Sequence, residues 1–282
     1  MGNKMSGKEV AETMKGLLKG RVEVLEKEGI TPCLTIIRVG AREDDLAYEK
    51  GAKKRMELIG ILCKVLELPD NISQQQFEEA FARVNEDPKV HGILLFRPLP
   101  EGLDEEPIKK MVDPKKDVDC MSPVNIAKVF SGDASGNAPC TAQAVMEMLH
   151  HYQIPISGKR VTVVGRSMVI GKPLAMMLLK ENATVTVCHT KTRDLQQECK
   201  KAEILVACAG KAKMITKDMI DPGAVVVDVG INVDENGKLC GDVDFENIQE
   251  IASYISPVPG GVGSVTTSVL AEHVIKGIEY QS

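Results

Sequence analysis

The residues with the most legible chemistry follow the apolar run VTVVG: Gly165, Arg166, Ser167 and Gly171 punctuate the segment GRSMVIGKPLAMMLLK. A glycine at the end of a strand lets the backbone turn beneath a pyrophosphate. That group then meets the free N–H donors and partial positive charge of a helix start. The spacing Gly165-x-Ser167-x-x-x-Gly171 departs from the common GxGxxG, so the reading rests on context: strand, loop, helix and the next strand, TVTVC, follow in order. A glycine that merely ends a strand is the plainer alternative.

The next residues bear on which dinucleotide fits. An NAD site normally carries Asp or Glu about 20 residues further on, where it accepts hydrogen bonds from the adenosine ribose. Here the second strand ends in Cys188-His189-Thr190-Lys191-Thr192-Arg193, hydroxyls and cations instead of a carboxylate. A 2′-phosphate needs donors and positive charge, and Arg166 offers a planar guanidinium suited to it. NADP is therefore the expected cofactor, although Lys191 and Arg193 also read as a solvated loop.

These residues need rigid elements to hold them. Residues 33–39 (CLTIIRV) form a β-branched run ending at Gly40, helical periodicity covers about 44–59, and a second apolar run spans 61–66. SQQQFEEAFARVNED then repeats its apolar residues at helical spacing, and GILLF at 92–96 reads as a buried strand. This is β-α-β-α-β order, which predicts a parallel, helix-covered sheet. From about Glu101 to Asn137 the pattern loosens into loop with one short helix. Beyond it, VTVVG, TVTVC, ILVACAG and AVVVDVGIN are continuous apolar runs, expected to be strands buried on both faces. The predicted fold is α/β with two domains: 1–138, a substrate-binding parallel α/β domain, and 139–267, a Rossmann-type doubly wound domain. Residues 268–282 read as a helix able to pack back on the first domain.

Composition narrows the function classes. At about 150 residues per domain, 282 residues predict two domains, and 43% apolar residues suffice for two cores. Lys and Arg total 35 against 40 acids, a net charge of −5, so neither nucleic acid nor an anionic membrane has an electrostatic basis as partner. Aromatics make up 3% and tryptophan is absent, which argues against stacking platforms for single strands. No signal-like or membrane-length apolar stretch occurs, so a soluble, cytoplasmic chain is expected. Eight dispersed cysteines without a CxxC pair read as reduced thiols, with no metal site.

Seven strings together resemble one family, methylenetetrahydrofolate dehydrogenase/cyclohydrolase: KKDVDCMSPVN (115–125), APCTAQAV (138–145), GRSMVIGKP (165–173), NATVTVCHTKT (182–192), PGAVVVDVGIN (222–232), GDVDF (241–245) and PVPGGVG (257–263). The resemblance covers essentially the whole chain. It implies hydride transfer from 5,10-methylenetetrahydrofolate to NADP, giving the 5,10-methenyl product, in a homodimer formed through the cofactor domains. It further implies that Gly165, Arg166 and Ser167 hold cofactor phosphates, with Gly171 opening the helix, that Thr190 contacts the adenosine phosphate region, and that Ile231 lies beside the nicotinamide. Asp119 matches the acid that hydrogen-bonds the pteridine ring and Tyr48 the tyrosine of the folate cleft, both candidate catalytic residues. Pro259, Gly260 and Gly261 fall in a loop near substrate. Each has a plainer reading: a cap for Asp119, a surface aromatic for Tyr48, a tight turn for PVPGGVG. Asp242 and Asp244 read as turn and cap residues.

The chain departs from the resemblance in two places. The family usually places a lysine four residues after the cleft tyrosine, where this chain has Ala52, and a glutamine where it has Phe96, next to Arg97. At about 100° per residue, Lys50, Lys53 and Lys54 lie roughly 200°, 140° and 240° around from Tyr48. Hydride transfer needs mainly positioning, whereas hydrolysis of the methenyl product needs general acid and base work. The expectation is a retained dehydrogenase with weak or absent cyclohydrolase. A fully bifunctional enzyme is the alternative, and a nucleotide-binding sensor without catalysis is the third.

Overall fold

The computed structural model describes residues 2–279. They divide into two compact units, one of residues 13–129, 133–140 and 267 onward, the other of residues up to 12, 130–132 and 141–266. The part of the expected C-terminal helix at 280–282 lies outside the described residues.

The chain opens with β1 (Asn3–Lys4) and α1 (Gly7–Lys27), then runs β2 (Cys33–Val39), α2 (Glu43–Ile59), β3 (Leu62–Leu68), α3 (Gln74–Glu86) and β4 (Gly92–Leu95). These strands form a parallel sheet in the order β3-β2-β4, with Ile36 opposite Val65 on one side and Leu94 on the other. The predicted β-α-β-α-β order is present because each periodic run has a face to bury. Phe77, Ala80 and Phe81, at helical spacing on α3, are buried with Ile37 and Ile93 of the sheet. Ser73 caps α3, its hydroxyl accepting from the Gln76 N–H while the Gln76 side chain reaches back to Ser73. Where one short helix was expected between 101 and 137 there are two, α4 (Glu106–Met111) and α5 (Pro123–Ser131). Proline at the first position of α5 costs no hydrogen bond, so it starts a helix where the composition reads as loop.

The second unit continues with α6 (Cys140–His151), β5 (Arg160–Val164), α7 (Gly171–Lys180), β6 (Thr184–Cys188), α8 (Leu195–Lys200), β7 (Ile204–Ala207) and β8 (Val225–Asp228). A short hairpin of β9 (Asn232–Val233) and β10 (Leu239–Cys240), then α9 (Phe245–Ile248), β11 (Tyr254–Ile255) and α10 (Thr266–Glu279), complete the chain. The six-stranded sheet runs β1-β11-β8-β7-β5-β6 with every pairing parallel, over a core that includes Leu205, Val226 and Ile255. Its carboxyl ends share one edge, where α/β sheets bind ligands.

Two expectations change. TVTVC is not buried on both faces: β6 ends the sheet, and Thr184, Thr186 and Val187 are exposed. Residues 2–12, expected in the first domain, join the second unit, because β1 pairs with β11 and the Gly7 N–H donates to the Gly260 carbonyl at 2.9 Å. A two-residue strand has no periodicity to read.

Candidate functional site

The loop after β5 is shaped by two glycines. Gly165 has φ 142°, and a Cβ there would lie 2.3 Å from the Cys208 carbonyl oxygen; a Cβ on Gly171 would lie 2.1 Å from the Gly165 oxygen. Any side chain at either position would open the turn. Between them the Ser167 hydroxyl accepts from the Ile170 N–H at 3.2 Å. Among the described residues, the N–H groups of Arg166, Met168 and Val169 have no protein acceptor. These donors and the positive end of α7 make a cradle for an anion.

The neighbouring strand supplies cations. Val164 is in register with Cys188, and the Gly165 N–H donates to the Cys188 carbonyl at 2.9 Å, so the two strand ends adjoin. Beyond β6 the His189 N–H donates to Thr192 Oγ1 at 2.8 Å and the Lys191 N–H to His189 Nδ1 at 3.1 Å, a tight turn that leaves Thr190, Lys191 and Arg193 exposed beside the loop of exposed Arg166. The residues present fit a phosphorylated ribose better than a bare one, because no carboxylate stands at the end of β6.

Behind the loops sits a pair of buried aspartates. Asp228, at the end of β8, accepts from the N–H groups of Gly230, Asp242 and Val243 at 2.9–3.0 Å, and burial raises its carboxyl to about 6. Asp242 accepts from the N–H groups of Ala209, Gly210 and Lys211 and from Asn232 Nδ2. It ties the exit of β7 to the hairpin, a wider role than the turn expected of it. Asp244 precedes α9 without a capping hydrogen bond and instead accepts from Asn247. Asp228 was not singled out from sequence; a lone acid closing an otherwise apolar strand was the available signal.

These ties hold a cavity of about 260 Å³ whose walls include Ile231, Leu239, Pro259, Gly260 and Gly261. Three residues expected near substrate and one expected beside the nicotinamide thus line one space. Ile231 is 69% exposed, which an apolar side chain tolerates at the mouth of a ligand site. The Gly261 position has no room for a Cβ, which would lie 2.4 Å from the Pro257 oxygen.

The other unit carries Tyr48 and Asp119. Tyr48, on α2, meets Phe96 edge-on, ring centroids 5.8 Å apart. The next residue, Glu49, is buried, accepts from Arg38 Nε at 2.8 Å and from Lys53 Nζ at 2.7 Å, and is held below the usual carboxylate range by those cations despite its burial. Ala52 is fully buried. Asp119 Oδ1 accepts from the Cys140 N–H at 2.9 Å, and its Oδ2 lies 3.7 Å from an Arg97 nitrogen. Burial raises the Asp119 carboxyl, opposed by that N–H and by Arg97. His273 of α10 donates Nδ1–H to the Val118 carbonyl at 2.8 Å, one residue from Asp119. The Arg97–Asp119 pairing carries no local sequence signal, since the two are far apart along the chain. Among the described residues no cluster of His, Cys, Asp and Glu could hold a metal, and no helix is long and apolar enough to cross a membrane.

The family description "Tetrahydrofolate dehydrogenase/cyclohydrolase, catalytic domain" matches residues 5–119, and the description "Tetrahydrofolate dehydrogenase/cyclohydrolase, NAD(P)-binding domain" matches residues 139–282. The chain belongs to this family. A relative in Clostridioides difficile, named bifunctional protein FolD, is 54% identical over 281 residues, covering 100% of this chain and 98% of its own. The Campylobacter jejuni bifunctional enzyme FolD, a methylenetetrahydrofolate dehydrogenase/cyclohydrolase, has a crystal structure with TM-score 0.97 and 38% identity that covers 100% of both chains. The Trypanosoma brucei dehydrogenase-cyclohydrolase, crystallised with NADP cofactor and an inhibitor, gives TM-score 0.93 and 35% identity over 99% of this chain and 98% of its own. The family's two-domain α/β architecture is the one seen here.

Proposed function

We propose that this chain is a cytoplasmic homodimer that oxidises 5,10-methylenetetrahydrofolate with NADP and then hydrolyses the methenyl product. The observation that carries the reading is likeness over the whole chain, at 54% identity, to a relative named as bifunctional. The glycine-shaped loop, its free N–H donors and Arg166 fit NADP, and the exposed edge of β6 offers a second copy a surface to pair with.

NADP, when bound, supplies the hydride acceptor. Gly165, Ser167 and the start of α7 would hold its phosphates, with Thr190 beside them. Arg166 would take the 2′-phosphate, and Ile231 would flank the nicotinamide. Tyr48 and Asp119 would hold the folate, and the Pro259–Gly261 loop would line the space beside Ile231. The carbon loses a hydride, leaving the methenyl cation with no proton released. Positioning of donor and acceptor supplies much of the rate in such a step. Hydrolysis adds water to that cation, loses a proton and opens the ring to the formyl product. Asp119, whose carboxylate would accept from the pteridine N–H donors, would fix the ring for both steps.

Ala52 and Phe96 favour a second reading in which hydrolysis is slow. In α2, which is continuous from Glu43 to Ile59, the Lys53 amine pairs with Glu49, so no lysine shares the Tyr48 face of the helix. Decay of methenyltetrahydrofolate with purified protein separates the two. A rate well above that of buffer is expected of the bifunctional enzyme; a rate equal to that of buffer supports the second reading.

A further inference from the structure

We propose that Arg97 is a positioning residue that holds the Asp119 carboxylate ready for the N–H donors of the pteridine ring, an inference that rests on the folate reading of Asp119 above. The two residues meet because their backbones run side by side. Arg97 leaves the end of β4, and Asp119 follows a segment bridged to that strand, Ile93 pairing with Asp117 and the Ile93 N–H donating to Lys116 O at 2.7 Å.

The segment is stiff. Asp117 is fully buried and accepts from the N–H groups of Met121 and Ser122 and from Asn125 Nδ2, at 2.9–3.0 Å. One oxygen of Asp119 is already fixed by the Cys140 N–H, and the other faces Arg97. At 3.7 Å the guanidinium is near enough to attract that oxygen but too far to hydrogen-bond it, so the lone pairs stay available to a ligand. On its other side Arg97 lies 3.9 Å from Glu105, which Lys109 also pairs with. The cation is therefore suspended between two carboxylates, and Glu105 limits how far it moves onto Asp119.

The charged and titratable groups around Asp119 make Arg97 decisive. Asp117, on its own segment, repels a negative Asp119. The thiols of Cys120 and Cys140 are pushed far up by burial and stay neutral, and His273 on α10, lowered to about 4, is also neutral near pH 7. Arg97 is then the cation that faces the carboxylate directly. Its side chain is 27% exposed, so its removal should cost the fold little.

The test uses the full chain and the variants Arg97→Leu and Arg97→Lys. With saturating NADP, Arg97→Leu is expected to raise KM for methylenetetrahydrofolate about tenfold with kcat within about twofold. The acidic limb of kcat/KM should move to higher pH, because the carboxylate loses its counter-charge. Arg97→Lys should restore most of both, and KM for NADP should not change. NMR titration of isotope-labelled aspartate in the free protein should show the Asp119 carboxyl titrating higher in Arg97→Leu. An unmoved titration, or a wild-type KM and acidic limb in Arg97→Leu, would overturn the inference. Wild-type protein that reduces no NADP with this folate would instead refute the folate reading, and the titration would still decide whether Arg97 sets the state of Asp119.

Discussion

Gly165 is where residue type and backbone demand meet most directly. At φ 142° with the Cys208 oxygen in the way, Gly165→Ala should cost about 1–3 kcal/mol of strain or move the loop. Its measurable outcome is a weaker NADP complex, by about tenfold or more in a fluorescence titration; unchanged affinity would mean the loop does not hold phosphate. Arg166→Ser tests the neighbouring claim. A charge-assisted hydrogen bond is worth about 1.5–3 kcal/mol, so KM for NADP should rise by about 10- to 100-fold while KM for NAD hardly moves. Equal losses for both would remove Arg166 from the 2′-phosphate. The turn at Gly165 was legible in the sequence because strand, turn and helix start are contiguous. Arg97 and Asp119 were each visible as residues but not as a pair, since only the bridge between Ile93 and Asp117 brings their segments together.

Among the elements, α10 lends itself to measurement because it buries a titratable group. His273 is 4% exposed and burial lowers it to about 4, against an ordinary value of 6.5. Between those values the unfolded chain binds the extra proton and the folded one does not, so stability is lost as pH falls from 6.5 toward 4. The shift corresponds to a loss on the order of 3 kcal/mol. Denaturant unfolding across that window should show a flatter pH dependence for His273→Asn than for wild type; identical slopes would contradict the buried neutral histidine. Asp228, raised to about 6, works oppositely: the folded state holds its proton longer, so its contribution shrinks as pH rises from 3.8 to about 6. The difference between wild type and His273→Asn isolates the histidine. The central strands and α2, α3 and α7 were readable because their periodicity reflects the faces they bury. The exposed β6 and the pairing of β1 with β11 were not, because whether a strand is central, last or only two residues long is decided by the rest of the sheet.

For the whole molecule, the two sets of residues divide by unit: Tyr48, Phe96, Arg97 and Asp119 in one, the phosphate loop, Ile231 and the Pro259–Gly261 loop in the other. On the function proposed above, the first set would hold the folate and the second the dinucleotide. Net charge of −5 and 43% apolar residues set only the class of molecule; the site residues set the chemistry. The most direct test gives the enzyme methylenetetrahydrofolate labelled with deuterium on the bridging carbon, together with NADP, and follows the label by NMR. Deuterium should appear at the reactive carbon of the reduced nicotinamide, without loss to solvent. Label found in water, or reduced cofactor without label, would contradict direct hydride transfer between the two ligands.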